Sequence, residues 1–388
     1  MLPNERISSP QFVMLATVSV FGSAILYVPS TIARHAGQDA WLSLSLAALG
    51  GAFVAWLTCR LAGLYPGRTL FEIPGLILGR HAGKAIAILY VWWTLHITAE
   101  VVREFASFIM TAFMPETPLV VFVLIITAVA AYAVDGGLEV MGRMAGHVVP
   151  IILGSSVILF LLALPEMRTA HLMPPFDTDA LSIIKGAAAP FSWFGELVTF
   201  AAVIPFLSRR EAGLRSLLYS VGLIYAFLMQ ATAGVIAILG PQLAGAYFFP
   251  VLMGARMIRL STFIERVEPF LMFVLIVGGI LKIMFFYWAA VYGTAQVAGL
   301  RDYRPIVVPA GTAIASLAIL AHASMLGLVR FVGTVWPFYA QIFEVGIPLF
   351  LLLAAGRRKT RRQNAAAAIL AGAAAPAEAP ATGADNAP

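Results

Sequence analysis

Runs of about 20 apolar residues, one after another and separated by short loops, constrain this chain more than any other feature. A run of that length spans the hydrocarbon core of a bilayer as a helix. Ten are legible, at approximately 11–33, 41–63, 84–113, 118–134, 146–164, 186–207, 214–239, 269–298, 306–326 and 334–355. The third and eighth exceed the bilayer and are expected to tilt or project. Composition agrees: 11% of the 388 residues are charged, against roughly 25% in a soluble chain. The expected fold class is therefore an all-α integral membrane protein with ten transmembrane helices. The first run is too long for the apolar core of a signal peptide and is expected to stay as a span. Cys59 is the only cysteine, which excludes an intrachain disulfide.

Orientation follows from the basic residues of the short loops. With the N-terminus inside, Arg6, Arg60, Arg68, Arg80, Lys84, Arg143, Arg209, Arg210, Arg215, Arg301, Arg304 and the Arg357–Arg362 cluster all fall on the cytoplasmic side. Both termini are then cytoplasmic. The net charge of +6 is a topology signal of this kind, and no nucleic-acid partner is expected. Two loops carry structure of their own. Residues 66–84 read as a short helix between glycine turns. Residues 240–268 alternate apolar with charged side chains and suit one or two short amphipathic helices on the outer surface. Residues 1–356 form the membrane domain. Residues 357–388 form a tail, basic and then Ala/Pro-rich, which is expected to be disordered.

Two spans contain signals for a broken helix. In the first, Gly22 and Ser23 lie at mid-span and Pro29 follows. Glycine removes a side chain, serine offers a hydroxyl and proline lacks a backbone donor. The expectation is a helix that loosens there and turns backbone groups toward a ligand. An ordinary helix with a packing notch fits the same residues. In the sixth span, Pro190-Phe-Ser-Trp-Phe-Gly-Glu196 is followed by Pro205. Interrupted helices at corresponding positions of two sets of five point to an inverted-repeat transporter with its site at the midplane.

Ionisable side chains inside a bilayer are costly enough to mark function. Glu196 can receive a ligand amine, bind a proton, or act as a hydrogen-bond hub. His96, Glu100, Arg103 and Glu104 share one stripe of the third span. Glu100, Arg103 and Glu104, with Lys282, can form an ion or proton network or a structural one, a solvated self-paired face being the alternative, and His96 reads as a packing histidine or a proton relay. Lys282 lies about halfway along the eighth span and needs a carboxylate partner, for which Glu196 is available. No phosphate loop, metal-ligand spacing or nucleophile–base pair occurs, so neither enzymatic activity nor a cofactor is expected.

The order of several motifs resembles the endospore germination permease family. They are Ile7-Ser-Ser-Pro-Gln11, Phe21-Gly-Ser-Ala-Ile-Leu-Tyr-Val-Pro29, Thr69-Leu-Phe-Glu-Ile73, Leu78-Gly-Arg-His-Ala-Gly83, Arg103-Glu-Phe105, Met114-Pro-Glu-Thr-Pro118, Phe191-Ser-Trp-Phe-Gly-Glu196 and Phe263-Ile-Glu-Arg-Val-Glu268. The family comprises the B subunits of nutrient germinant receptors, within the amino acid–polyamine–organocation transporters. The resemblance implies a leucine-transporter-like fold of five plus five inverted spans, with repeats at approximately 11–164 and 186–355 and with helices 1 and 6 broken. It implies a small nutrient ligand, often an amino acid, sensed in the inner membrane of the spore. It implies partner subunits of the A type, with a large soluble domain, and of the C type, a lipoprotein. Carried over by position, Phe21, Gly22, Ser23, Ala24, Phe191, Ser192, Trp193, Phe194, Gly195 and Glu196 are the ligand contacts. The alternative is an amino acid transporter coupled to H⁺ or Na⁺.

Overall fold

The computed structural model describes residues 5–258 and 268–357. Among these the secondary structure is helical, with one isolated extended bridge between Ile7 and Leu207. Helix α1 (Ser9–Ala36) opens on a reciprocal cap. The Gln11 N–H donates to Ser8 Oγ, and the Ser8 N–H donates to Gln11 Oε1. Pro10 sits in the first turn, where its missing donor costs nothing. The helix stops at Gly37, whose φ of 53° suits glycine. A short turn, Gly37–Asp39, leads into α2 (Ala40–Leu64).

The chain continues through the short α3 (Ile73–Leu78), then α4 (Arg80–Ala112), α5 (Leu119–Asp135) and α6 (Leu138–Ala163). Next come α7 (Ala180–Gly195), α8 (Gly213–Leu239), and the short α9 (Pro241–Ala246) and α10 (Pro250–Met257). The last group is α11 (Glu268–Ala298), α12 (Arg304–Leu320), α13 (Met325–Thr334) and α14 (Trp336–Gln341). A π-helical turn, Ile342–Gly346, carries α14 on into further helix that reaches Arg357. Helices α12 and α13 meet at 99° across the break at 321–324.

The ten predicted apolar runs fall largely on helix, the ninth crossing the break at 321–324. Among the described residues, six helical stretches are long and apolar enough to cross a membrane, or seven if α12 and α13 form one bent span. The protein is a multi-pass membrane protein. The two runs predicted to be long are α4, of 33 residues, and α11, of 31. At a rise of about 1.5 Å per residue both exceed a bilayer core of about 30 Å. The short helix expected at 66–84 is α3, and α9 and α10 occupy the first part of 240–268. The motif at 263–268 and the tail from 358 lie outside the described residues, apart from the backbone of Glu268.

The core is built on α1 and α11. Helix α1 is buried almost continuously from Leu15 to Ala33, as is α11 from Leu281 to Tyr292. The outer helices expose apolar side chains, such as Leu124 and Ile125 on α5 and Ile151, Ile158 and Leu161 on α6. Against lipid tails such exposure carries no penalty.

One expectation needs correction: α1 is not broken. It runs as continuous α-helix through Gly22, Ser23 and Pro29. Glycine is used there for close approach to α11. A Cβ at Gly22 would stand 2.8 Å from the Gly278 carbonyl oxygen and 3.1 Å from Lys282 Cβ. Around Pro29, the Ser30 and Thr31 hydroxyls donate to the carbonyls of Tyr27 and Val28, both at 3.0 Å.

Candidate functional site

The sixth apolar run does depart from α-helix. Asp179 caps α7 by accepting from the Ser182 N–H at 3.0 Å. Pro190 is accommodated inside the helix. From Glu196 to Ala202 the backbone tightens into 3₁₀-helix. Seven residues is long for that conformation, and such stretches mark hinges or strain. Pro205, in the next turn, prevents a return to α-helix. The change of conformation follows Gly195, where any Cβ would overlap the carboxylate of Glu344.

Glu196, first residue of the 3₁₀ stretch, is paired with Lys282 of α11. Lys282 Nζ lies 2.9 Å from Glu196 Oε1 and 2.6 Å from Oε2. The two side chains are 0% and 1% exposed. This is the pairing that mid-span charges of opposite sign anticipate. A buried ammonium and carboxylate each need the other, because either alone is strongly destabilising in a medium of low dielectric.

Glu100, Arg103 and Glu104 of the charged stripe of α4 are buried, and among the described residues only Glu100 pairs within the stripe, with His96. Arg103 donates from Nη1 to the carbonyls of Ala318 and Ile319, both at 3.0 Å, and from Nη2 to that of His322. It thereby satisfies the open C-terminal end of α12, where helical carbonyls lack partners. Glu100 is held between two histidines, with His322 Nε2 at 2.8 Å and His96 Nε2 at 3.3 Å. His96 also contacts Tyr339 Oη through Nδ1 at 3.2 Å and stacks on Trp92. These contacts fasten the α12–α13 corner to α4. Glu104 is different: it is 4% exposed, and its Oε2 has no hydrogen-bond partner among the described residues.

A small central cavity lies among these groups. It is lined by Ser23 of α1; Ile97, Glu100, Val101 and Glu104 of α4; Trp193 of α7; Glu196; Val332 of α13; and Trp336 of α14. Trp193 Nε1 donates to Ser23 Oγ at 3.2 Å across the cavity wall. The free space is about 10 Å³, room for about one water molecule. A ligand as large as an amino acid enters only after the walls separate. A wide polar vestibule opens at the Ser9 end of α1, lined by Arg68, Thr69, Glu72, Arg210, Tyr292, Gln296 and Arg301 among others. From its wall at Tyr292, a stack of Trp288 (4.9 Å between ring centroids), Phe285 and Phe200 runs inward toward the turn of Lys282. A further cavity, bounded by Phe160, Phe227 and Leu271, has no charged lining residue and offers little to select a polar nutrient.

Of the ten ligand contacts carried over by position, Ser23, Trp193 and Glu196 line the central cavity. Phe21 packs on Phe227 at 4.5 Å, and Gly22 on α11. Ala24 is buried in the core. Phe191 and Phe194 press on Gly50 and Gly51 of α2. Ser192 donates to the Ala189 carbonyl, and Gly195 meets Glu344. Of the network residues, Glu100 and Glu104 reach the cavity and Arg103 and Lys282 do not line it. Sequence reading missed Ile97, Val101, Val332 and Trp336. It also missed Glu344, a fully buried carboxylate in the last predicted span, whose Oε2 accepts from Gln341 at 3.0 Å. The rule that singles out Glu196 and Lys282 applies equally to Glu344.

At the Ala36 end of α1, Asp39 joins the two signal-bearing runs. It accepts from the N–H groups of Phe176 (2.7 Å), Asp177 (2.9 Å) and Thr178 (2.9 Å), just ahead of α7. Burial alone would raise the Asp39 carboxyl, but these donors outweigh it and hold it below the usual carboxylate value.

Comparison with known proteins adds three findings. The family model described as "Spore germination protein" matches residues 6–325. Spore germination protein KB of Bacillus subtilis (strain 168) is 26% identical over 363 residues, which is 91% of this chain and 95% of that protein. Among solved structures, Mhp1, a nucleobase-cation-symport-1 family transporter in a closed conformation with bromovinylhydantoin bound, superposes with a TM-score of 0.60. It is 12% identical and covers 88% of this chain and 78% of its own. MhsT in complex with L-phenylalanine gives a TM-score of 0.58 at 15% identity, covering 90% and 99%. At these identities the two structures speak for the fold.

Proposed function

We propose a function from one premise: the chain belongs to the spore germination protein family, whose model matches residues 6–325. On this reading it is the nutrient-sensing B subunit of a germinant receptor in the spore inner membrane. A small nutrient, an amino acid in the first instance, binds in the central cavity. Binding biases a closed-to-open equilibrium of the surrounding helices, and A-type and C-type partner subunits read that bias. The ten apolar segments each cross the bilayer, with both termini in the cytoplasm. The two sets of five are related by inversion, and residues 357–388 form a separate tail.

One observation carries this reading. The central cavity is walled by α1, α4, the end of α7 and the α13–α14 segment, and three carboxylates reach it. That is where a transporter-like fold places a ligand between facing helices. The test is deletion in the spore-forming host. Loss of germination to at least one nutrient, restored by the gene in trans, is the expected result. Normal germination to every nutrient tried overturns the reading.

A second reading has its own support. A buried ammonium–carboxylate pair, with Glu104 and Glu344 nearby, suits proton coupling, and the fold is shared with transporters. Purified protein in proteoliposomes would then take up labelled amino acid in response to a pH or Na⁺ gradient. Absence of uptake by protein that still binds the same amino acid favours sensing.

A further inference from the structure

We infer that the ligand of the central cavity carries an ammonium group and that Glu104 of α4 receives it. This rests on the reading of that cavity as the nutrient site. Three carboxylates line the cavity, and two are already engaged by basic side chains. Glu100 accepts from His322 and lies beside His96. Glu196 holds both of its oxygens against Lys282 Nζ. Glu104 Oε2 is buried without a partner among the described residues.

A carboxylate so placed is stable when a cation or a proton meets it. The lining contains no lysine or arginine to supply the cation from within. A primary ammonium has three donors to place. Ser23 Oγ shares the cavity wall with Glu104 and interacts with its carboxylate, and beside the bond it accepts from Trp193 Nε1 it keeps a second lone pair. One helical turn along α1, on the same face, the buried Tyr27 hydroxyl also lacks a partner among the described residues. The remaining walls are Ile97, Val101, Val332, Trp193 and Trp336. They suit an apolar body. With Glu196 matched by Lys282 and Glu100 set between two histidines, Glu104 is the acid left to receive a cation, and the cavity disfavours a ligand whose only charge is negative. The ligand class is thus an apolar amine or amino acid, bound ammonium first.

The experiment uses the full-length protein purified in detergent, read by thermal stabilisation and by tryptophan fluorescence. Four probes are compared: L-leucine, isopentylamine, 4-methylpentanoate and inosine. The first two are expected to stabilise the wild-type protein, and 4-methylpentanoate, which lacks the amine, is not. Glu104→Gln should weaken the two amine probes tenfold or more, while Glu104→Asp keeps part of the response. Equal affinity of wild type and Glu104→Gln for the amines overturns the inference. So does wild-type binding of 4-methylpentanoate as tight as that of L-leucine, a comparison that stands even if the variants fail to fold. Inosine binding that is indifferent to Glu104→Gln, with no amine response, overturns the inference and leaves the sensing function standing. Silence of the wild-type protein toward all four probes counts against both.

Discussion

The first and sixth apolar runs contain the same helix-breaking residue types, and only one of them breaks. Run one has Gly22, Ser23 and Pro29 and folds as uninterrupted α-helix from Ser9 to Ala36. Run six has Pro190, Gly195 and Pro205 and changes to 3₁₀-helix at Glu196. What differs is the neighbour each glycine meets. Gly22 faces the backbone of another helix at Gly278, so the missing side chain is used for close packing. Gly195 faces the carboxylate of Glu344, and the next residue carries a charge held by Lys282 on α11. Glycine and proline together confer a capacity to leave the α-helix. The partner across the interface determines whether that capacity is used.

If the Glu196–Lys282 pair holds the altered stretch in place, its removal gives the largest effect. Lys282→Met leaves a buried carboxylate unpaired and should cost about 3–5 kcal/mol, read by denaturant unfolding in mixed micelles. The double variant with Glu196→Gln should recover much of that loss. A single variant as stable as wild type would show that the pair does not anchor the 3₁₀ segment.

Gly22→Leu tests the other side of the contrast. The added side chain meets Gly278 and Lys282 Cβ, so α1 and α11 must part, at about 3 kcal/mol. An unchanged melting temperature would mean that the notch is slack, and would return α1 to the status of a flexible element. At Gly195 the neighbour is the end of a side chain rather than backbone, so Gly195→Ala should cost less, about 1–2 kcal/mol. A larger loss at Gly195 than at Gly22 would invert the comparison.

The smallest effect concerns the link between the two regions. Asp39→Asn weakens the clamp from the end of α1 to residues 176–178 and should cost about 1 kcal/mol at pH 7. The sign in pH follows from a carboxyl held below its ordinary value. Its contribution is complete above the unfolded carboxylate value of about 4 and fades as pH falls through the lower folded value. Wild type and variant should therefore differ by a constant amount between pH 7 and pH 5 and converge below about pH 4. A difference that persists in stronger acid would point to packing rather than charge.

Much of the architecture was legible because its cause is local. Bilayer thickness sets the length of an apolar run, and the ten runs fall largely on helix. The long α4 and α11 were readable in the same way, as was the partnership open to Lys282 and Glu196. Facing was much less legible. Phe191 and Phe194 lie three residues apart in one break motif, and both turn to α2 instead of the cavity. Val332 and Trp336 reach the cavity because the chain bends by 99° between α12 and α13, which hydropathy does not record. Glu344 could have been found in the sequence, but its place against Gly195 could not.

By itself, then, the sequence determined a chain of membrane helices, the two places where a helix could yield, and the charges that had to find partners inside. Those outcomes depend on apolar run length, on glycine and proline, and on the cost of burying charge. The tertiary structure alone decided which helix yielded and which carboxylate oxygens were left without a partner among the described residues. Both turn on distances of a few ångströms between helices far apart in the chain, where Gly278 closes on Gly22 and Lys282 reaches Glu196 rather than Glu104.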